Sequence, residues 1–135
     1  MPQFLSAYLI TLVLLVAIDF VWLAFVARSF YVAQLGDLMR PQPDLVAAAL
    51  FYAVYAAGIT HFAALPAVRG GGWSTALVQG AMLGLVAYAT YDLSNLATLK
   101  GWPLAMTVVD VVWGTLLTAL VATLASIVTS WLTKS

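Results

Sequence analysis

The sequence predicts an all-α integral membrane protein: an antiparallel four-transmembrane-helix bundle with a short interfacial helix in the first loop. Three observations predict it. Of 135 residues, 64% are hydrophobic and 7% charged, whereas a water-soluble domain carries about one quarter charged side chains. Four apolar runs reach the ~20 residues needed to cross hydrocarbon at 1.5 Å per residue. All five basic residues, Arg28, Arg40, Arg69, Lys100 and Lys134, fall at or beyond the ends of those runs, as expected where burying a cation in lipid costs several kcal/mol.

The runs cover residues 4–27, 45–65, 75–99 and 104–132, so residues 1–135 read as a single transmembrane domain. The first run lacks a basic n-region and is too long for a signal peptide, so it is expected to stay in the mature protein. The connection from Arg28 to Pro43 is the long one, and Tyr31, Leu35, Leu38 and Met39 fall at helical spacing within it. That spacing predicts a short helix lying in the interface. Arg69-Gly70-Gly71-Gly72-Trp73 and Lys100-Gly101-Trp102-Pro103 are tight turns, and short turns make antiparallel neighbours. Arg28, Arg40 and Lys100 on one face against Arg69 and Lys134 on the other lean loops one and three toward the cytoplasm.

Composition also excludes function classes. Lys+Arg and Asp+Glu balance at five each, leaving no basic surface for nucleic acid or anionic lipid. Without cysteine there are no disulfides, thiolate metal sites or thiol nucleophiles. No phosphate-binding glycine loop, Ser-His-Asp arrangement or HExxH motif is present. No cofactor is predicted.

Two short patterns recur from the outside of the chain inward. Asp19-Phe20-Val21-Trp22 in the first span matches Asp110-Val111-Val112-Trp113 in the fourth; Tyr52-Ala53-Val54-Tyr55 in the second matches Tyr88-Ala89-Thr90-Tyr91 in the third. Residues three apart share a helix face. Depth adds weight to these pairs. Asp19 lies nine positions before Arg28, Asp92 eight before Lys100, Asp110 eight after Trp102 and Tyr52 eight after Asp44. All four therefore sit roughly 12 to 14 Å below one membrane face. Tyr55 and Tyr88 come slightly deeper, and Tyr91, Asn95, Trp22 and Trp113 lie within about two helical turns of the same level. Trp73, Trp102 and Trp131 fall instead where interfacial aromatic belts belong. Gly80, Gly84, Tyr88, Tyr91, Asp92, Asn95 and Thr98 form a stripe of small and polar groups that should face another helix.

Three carboxylates in hydrocarbon with no intramembrane Lys or Arg need hydrogen bonds, protons or a bound cation. One reading is structural: Asp-Tyr and Asp-Trp bonds lock the helices. The others are functional, since uncharged Asn, Gln or Ser would supply the same glue without the cost of an acid. His61 counts to the opposite face of the membrane, away from the cluster, and reads as a hydrogen-bonded structural residue.

The first and fourth span motifs, with Thr90-Tyr91-Asp92-Leu93-Ser94-Asn95 in the third, make the chain resemble the bacterial membrane-protein family filed as domain of unknown function 2177. The resemblance covers essentially the full length. It implies a multi-pass protein of the bacterial inner membrane, from a family without established activity whose genes sometimes lie near those of lipid modification and photo-oxidative stress.

The leading expectation is a binding site in a small transporter or ligand-binding protein. Asp19, Asp92 and Asp110 would exchange protons for a cationic or lipophilic small molecule, held against Trp22, Tyr52, Tyr55, Tyr88, Tyr91 and Trp113 with Asn95 nearby. A second is a lipid-modifying enzyme in which the aspartates divide acid and base roles, or hold a divalent metal through Asp19, Asp92 and Asp110. A third is a structural or assembly subunit of a membrane complex. Membrane lipid is the expected surrounding partner, and Gly80 and Gly84 are a candidate homodimer seam.

Overall fold

A computed structural model describes residues 2–133; Lys134, expected to mark the end of the last span, lies outside them. Among the described residues there are helices and no strands, and four helical stretches are long and apolar enough to cross a membrane: Gln3–Val26, Leu45–Gly71, Trp73–Thr98 and Leu104–Thr133. The helices are α1 (Gln3–Val21), α2 (Arg28–Leu35), α3 (Leu45–Ile59), α4 (Trp73–Thr98) and α5 (Leu104–Thr133). The expected bundle is the fold observed.

The second span departs most from expectation. The apolar run ends at residue 65 in sequence, yet the helical path widens into a π turn at Thr60–Ala64, carries on past Pro66, and breaks only at Arg69 and Gly70, whose backbones are non-helical, in the expected glycine turn. Proline has no N–H and its ring crowds the carbonyl four residues back, so the backbone widens around it instead of ending. Another π turn, Trp22–Val26, closes the first span, with the Ala27 N–H donating to the Trp22 carbonyl at 2.8 Å. Asp44 starts α3 by accepting the Ala47 N–H at 3.0 Å, a side-chain N-cap.

Neighbouring spans pack in ring order: α1 on α5 and α3, α4 on α5 and on the Thr60–Ala64 turn. α4 and α5 form the most extensive pair. In lipid, apolar burial does not drive helices together, so close van der Waals approach has to. Glycine provides it: a Cβ on Gly84 would run into the Gly114 carbonyl oxygen, and one on Gly114 into the Tyr88 ring. Gly80 likewise lies against Thr118, Ala119 and Ala122. Gly80 and Gly84 are thus buried inside one chain, and a homodimer would have to use another face.

The main core gathers Leu15, Ala56, Ile59, Ala63, Ala76, Leu117, Val121 and Ala122 toward the end that carries the termini and loop two. There Arg69 Nε donates to Gln3 Oε1 at 3.1 Å, tying loop two to the start of α1. Toward the other end α3 leans on α1 and diverges from α4: Leu45, Val46, Leu50 and Val54 are all exposed. α2 is the expected short helix of the first loop, with one buried side chain. Tyr31 turns inward with Ala27 against Met106 of α5, while Leu38 and Met39 stay exposed beyond its end.

Candidate functional site

The two Asp-x-x-Trp motifs interlock. Asp19 of α1 is buried and accepts two hydrogen bonds, from the Tyr52 hydroxyl at 2.5 Å and from Trp113 Nε1 at 3.0 Å. Asp110 of α5 accepts from the Tyr31 hydroxyl at 2.8 Å, and that hydroxyl accepts from Trp22 Nε1 at 3.2 Å. The indole of each motif therefore serves the acid of the other, directly in one direction and through Tyr31 in the reverse. Between them the Trp22 and Trp113 rings stack 4.2 Å apart at an interplanar angle of 7°. The π turn that starts at Trp22 departs from the regular 100° step of the helix just where that residue must meet Trp113.

Where α3 diverges from α4, a cavity of about 700 Å³ opens, lined by Asp19, Leu23, Ala47, Ala48, Phe51, Tyr55, Ala87, Tyr88, Tyr91 and Asp110. Its mouth is apolar, with Leu23 and Phe51 exposed. Its inner wall is aromatic. The Tyr55 and Tyr88 rings meet edge to face at 6.1 Å, and the Tyr55 hydroxyl bonds Thr118 Oγ1 at 2.6 Å. Tyr88 lies within electrostatic reach of both Asp19 and Asp110, and its hydroxyl makes no hydrogen bond among the described residues.

Asp92 of α4 is wholly buried, and neither of its oxygens has a hydrogen-bond donor. The ionisable group beside it is the Asp110 carboxyl. Burial pushes the Tyr31 hydroxyl up from its usual range, reinforced by the neighbouring Asp110 and opposed by the Trp22 N–H. That keeps Tyr31 a neutral donor to Asp110.

Asp19, Trp22, Tyr52, Trp113 and Asp110 are thus brought together, with Tyr55 and Tyr88 beside them and Asp92 against Asp110. Tyr91 stands at the rim, 57% exposed and edge-on to Trp102 at 5.8 Å. Asn95 is half-buried on the same helix and makes no side-chain hydrogen bond among the described residues. His61 is exposed on the second span, away from the cluster, with its ring against Phe62. Among the described residues no group of three or more His, Cys, Asp or Glu side chains is gathered closely enough to hold an ion. Asp19 is held by Tyr52 and Trp113 instead. Sequence reasoning missed Tyr31 and Thr118. The available signal for Tyr31 was a phenol three residues past Arg28, in a loop long enough to fold back.

A family model described as a predicted membrane protein, domain of unknown function 2177, matches residues 4–127. The chain belongs to that family. The match spans both Asp-x-x-Trp motifs, Tyr31 and every cavity residue. No curated protein and no solved structure matches the chain.

Proposed function

We propose that this protein, in the bacterial inner membrane, binds a cationic or lipophilic small molecule in the cavity between α3 and α4 and exchanges it against protons. The observation that carries the reading is the charge of the cavity. Asp19 and Asp110 line it with Asp92 behind, while Arg28, Arg40, Arg69 and Lys100 are all exposed outside it. Acids away from water without a basic partner call for protons or a cation. The faces of Tyr55 and Tyr88 offer a cation a further ~0.5 to 2 kcal/mol. The apolar mouth suits a ligand that arrives through lipid.

The test is titration of the detergent-solubilised protein with tetraphenylphosphonium, followed by tryptophan quenching at several pH values. Affinity should rise with pH as protons cease to compete, and Asp19→Asn should weaken it by about tenfold, or about 1.4 kcal/mol. Binding that ignores both pH and Asp19→Asn would refute the reading.

Chemistry on lipid is the competing reading, and the adjacency of Asp92 and Asp110 is what favours it, because neighbouring carboxyls can divide acid and base roles. Comparing membrane lipids by mass spectrometry from cells producing the wild type and Asp92→Asn decides this. A lipid species lost only with the variant supports an enzyme.

A further inference from the structure

The three acids are not equivalent in what the protein gives them. Asp19 receives two donors, Asp110 one and Asp92 none. The donors on the Asp110 side are committed: the Tyr31 O–H is given to Asp110 and the Trp22 N–H to Tyr31. Asp92 and Asp110 stand equally far from Gly101 in sequence, nine residues before and nine after, on helices that pack along their length. The turn therefore sets them at one level, side by side. The titratable groups that face Asp92 are Asp110 from α5, Tyr31 from α2 and Tyr91 from its own helix. No basic side chain is among them.

A bare buried carboxylate beside a second carboxylate lacks both solvation and a counter-charge, and α4 is unbroken helix from Trp73 to Thr98, so it frees no backbone carbonyls there to build an alkali-cation cage. A single proton resolves both deficits. It lowers the charge of the pair from two to one and creates the O–H donor that Asp92 lacks.

We infer that Asp92 and Asp110, the second of which also reaches the cavity wall, form a proton-binding pair, one carboxylic O–H donating to the other carboxylate, distinct from Asp19. Uptake is one proton from water onto one carboxylate oxygen; no other bond changes and no co-reactant is needed. The pair takes the proton half of the exchange proposed above, and in that role it rests on that reading. Asp19, already served by Tyr52 and Trp113, is left to meet the ligand.

Infrared difference spectroscopy on the purified full chain, between alkaline and mildly acidic buffer in H2O and D2O, reads the pair without any ligand. A carboxylic C=O band should appear on acidification and shift on deuteration. Asp92→Asn and Asp110→Asn should each remove it, and Asp19→Asn should leave it. Should an Asn variant fail to fold, Tyr31→Phe keeps both carboxyls but takes a donor from Asp110, so it should move the band; Tyr52→Phe, which acts on Asp19, should not. No band in the wild type, a band surviving Asp92→Asn and Asp110→Asn, or one moved by Tyr52→Phe but not by Tyr31→Phe overturns the inference. A band erased by sodium relative to choline buffer also overturns it, in favour of an alkali cation. If the band behaves as expected while tetraphenylphosphonium binding is independent of pH, the pair stands and the exchange reading fails.

Discussion

Replacing Gly84 by alanine sets two effects of opposite sign against each other. In an isolated helix the change stabilises by about 1 kcal/mol, because glycine carries more backbone entropy to lose. In this bundle the new methyl would run into the Gly114 carbonyl oxygen and stand 2.8 Å from both Cβ and Oγ1 of Thr118. Ordinary carbon contacts are ~3.5 to 4.0 Å, so α4 and α5 would have to part by about 1 Å. Backbone cannot rotate out of the way as a side chain can, and overpacking costs about 1 to 3 kcal/mol. Thr118 also holds the Tyr55 hydroxyl at 2.6 Å, so the disturbance reaches the cavity wall. We expect a net loss of about 2 kcal/mol, on the order of a thirtyfold fall in the folded-to-unfolded ratio. Gly58 of α3 is the control: a Cβ there meets nothing within 4 Å, so Gly58→Ala should gain about 0.5 to 1 kcal/mol. Unfolding in mixed micelles of increasing dodecyl sulfate fraction, followed by tryptophan fluorescence, measures both. Shifts of the same sign in the two variants would refute the close α4–α5 seam.

The stacked indoles should give an exciton couplet in the near-ultraviolet circular dichroism, abolished by Trp113→Phe or Trp22→Phe and unchanged by Trp73→Phe, whose indole is exposed. Trp113→Phe also strips a donor from Asp19 and should cost about 1.5 to 3 kcal/mol in the same unfolding assay; a loss no larger than that of Trp73→Phe would count against the interlock. Burial raises the Tyr31 phenol above its unfolded value of about 10, so its contribution to stability is intact below about pH 10 and falls as pH climbs toward the folded value. Tyr31→Phe should remove up to about 1.4 kcal/mol per pH unit from the alkaline slope of stability, and an unchanged slope would contradict its burial. Tyr52→Phe cuts the bond that ties the diverging half of α3 to Asp19; hydrogen exchange should then accelerate over residues 45–54 while the middle of α5 is unaffected, and uniform acceleration would argue against a separable segment.

Depth counting made much of the site legible. At 1.5 Å per residue, distance from a helix end locates a residue regardless of which way it faces, and the level so obtained brought Asp19 to Tyr52 and Asp92 to Asp110. Facing was harder, because in lipid both sides of a helix are apolar and hydropathy no longer separates inside from outside. Tyr31 shows the consequence. Its spacing with Leu35, Leu38 and Met39 suggested a single stripe, yet the phenol turns in to the Asp110 carboxyl with Leu35 packed beside it, while Leu38 and Met39, past the helix end at Leu35, stay exposed. The π turn before Pro66 was illegible for a different reason. Proline marks where the hydrogen-bond ladder must break, but whether the chain then stops or widens depends on what packs there, and the small Ala63, Ala64 and Ala67 let the widened turn stay buried.

The placement of hydrogen bonds separates a rigid part of the molecule from a looser one. α1 and α5 are joined by the indole stack and the Trp113–Asp19 bond, α2 is pinned to both by Tyr31, and α4 is held to α5 by glycines that leave no slack. The second span enters this frame through its last half, where Ile59, Thr60, Ala63 and Ala64 are buried. Its first half is held by the Tyr52 hydroxyl on Asp19, the Ala53 carbonyl accepting from Tyr8 at 3.0 Å and the Tyr55 hydroxyl on Thr118, and the turns before Tyr52 make no such bond among the described residues. The π turn at Thr60–Ala64 opens that buried half, and a widened hydrogen-bond ladder there bends at least cost. Asp19 is therefore both the acid that lines the cavity and the anchor of the helix that forms its outer wall. On the proposed function, a cation drawn to Asp19 would compete with the Tyr52 hydroxyl for the same carboxylate, so occupancy of the cavity and attachment of its wall would be one equilibrium rather than two.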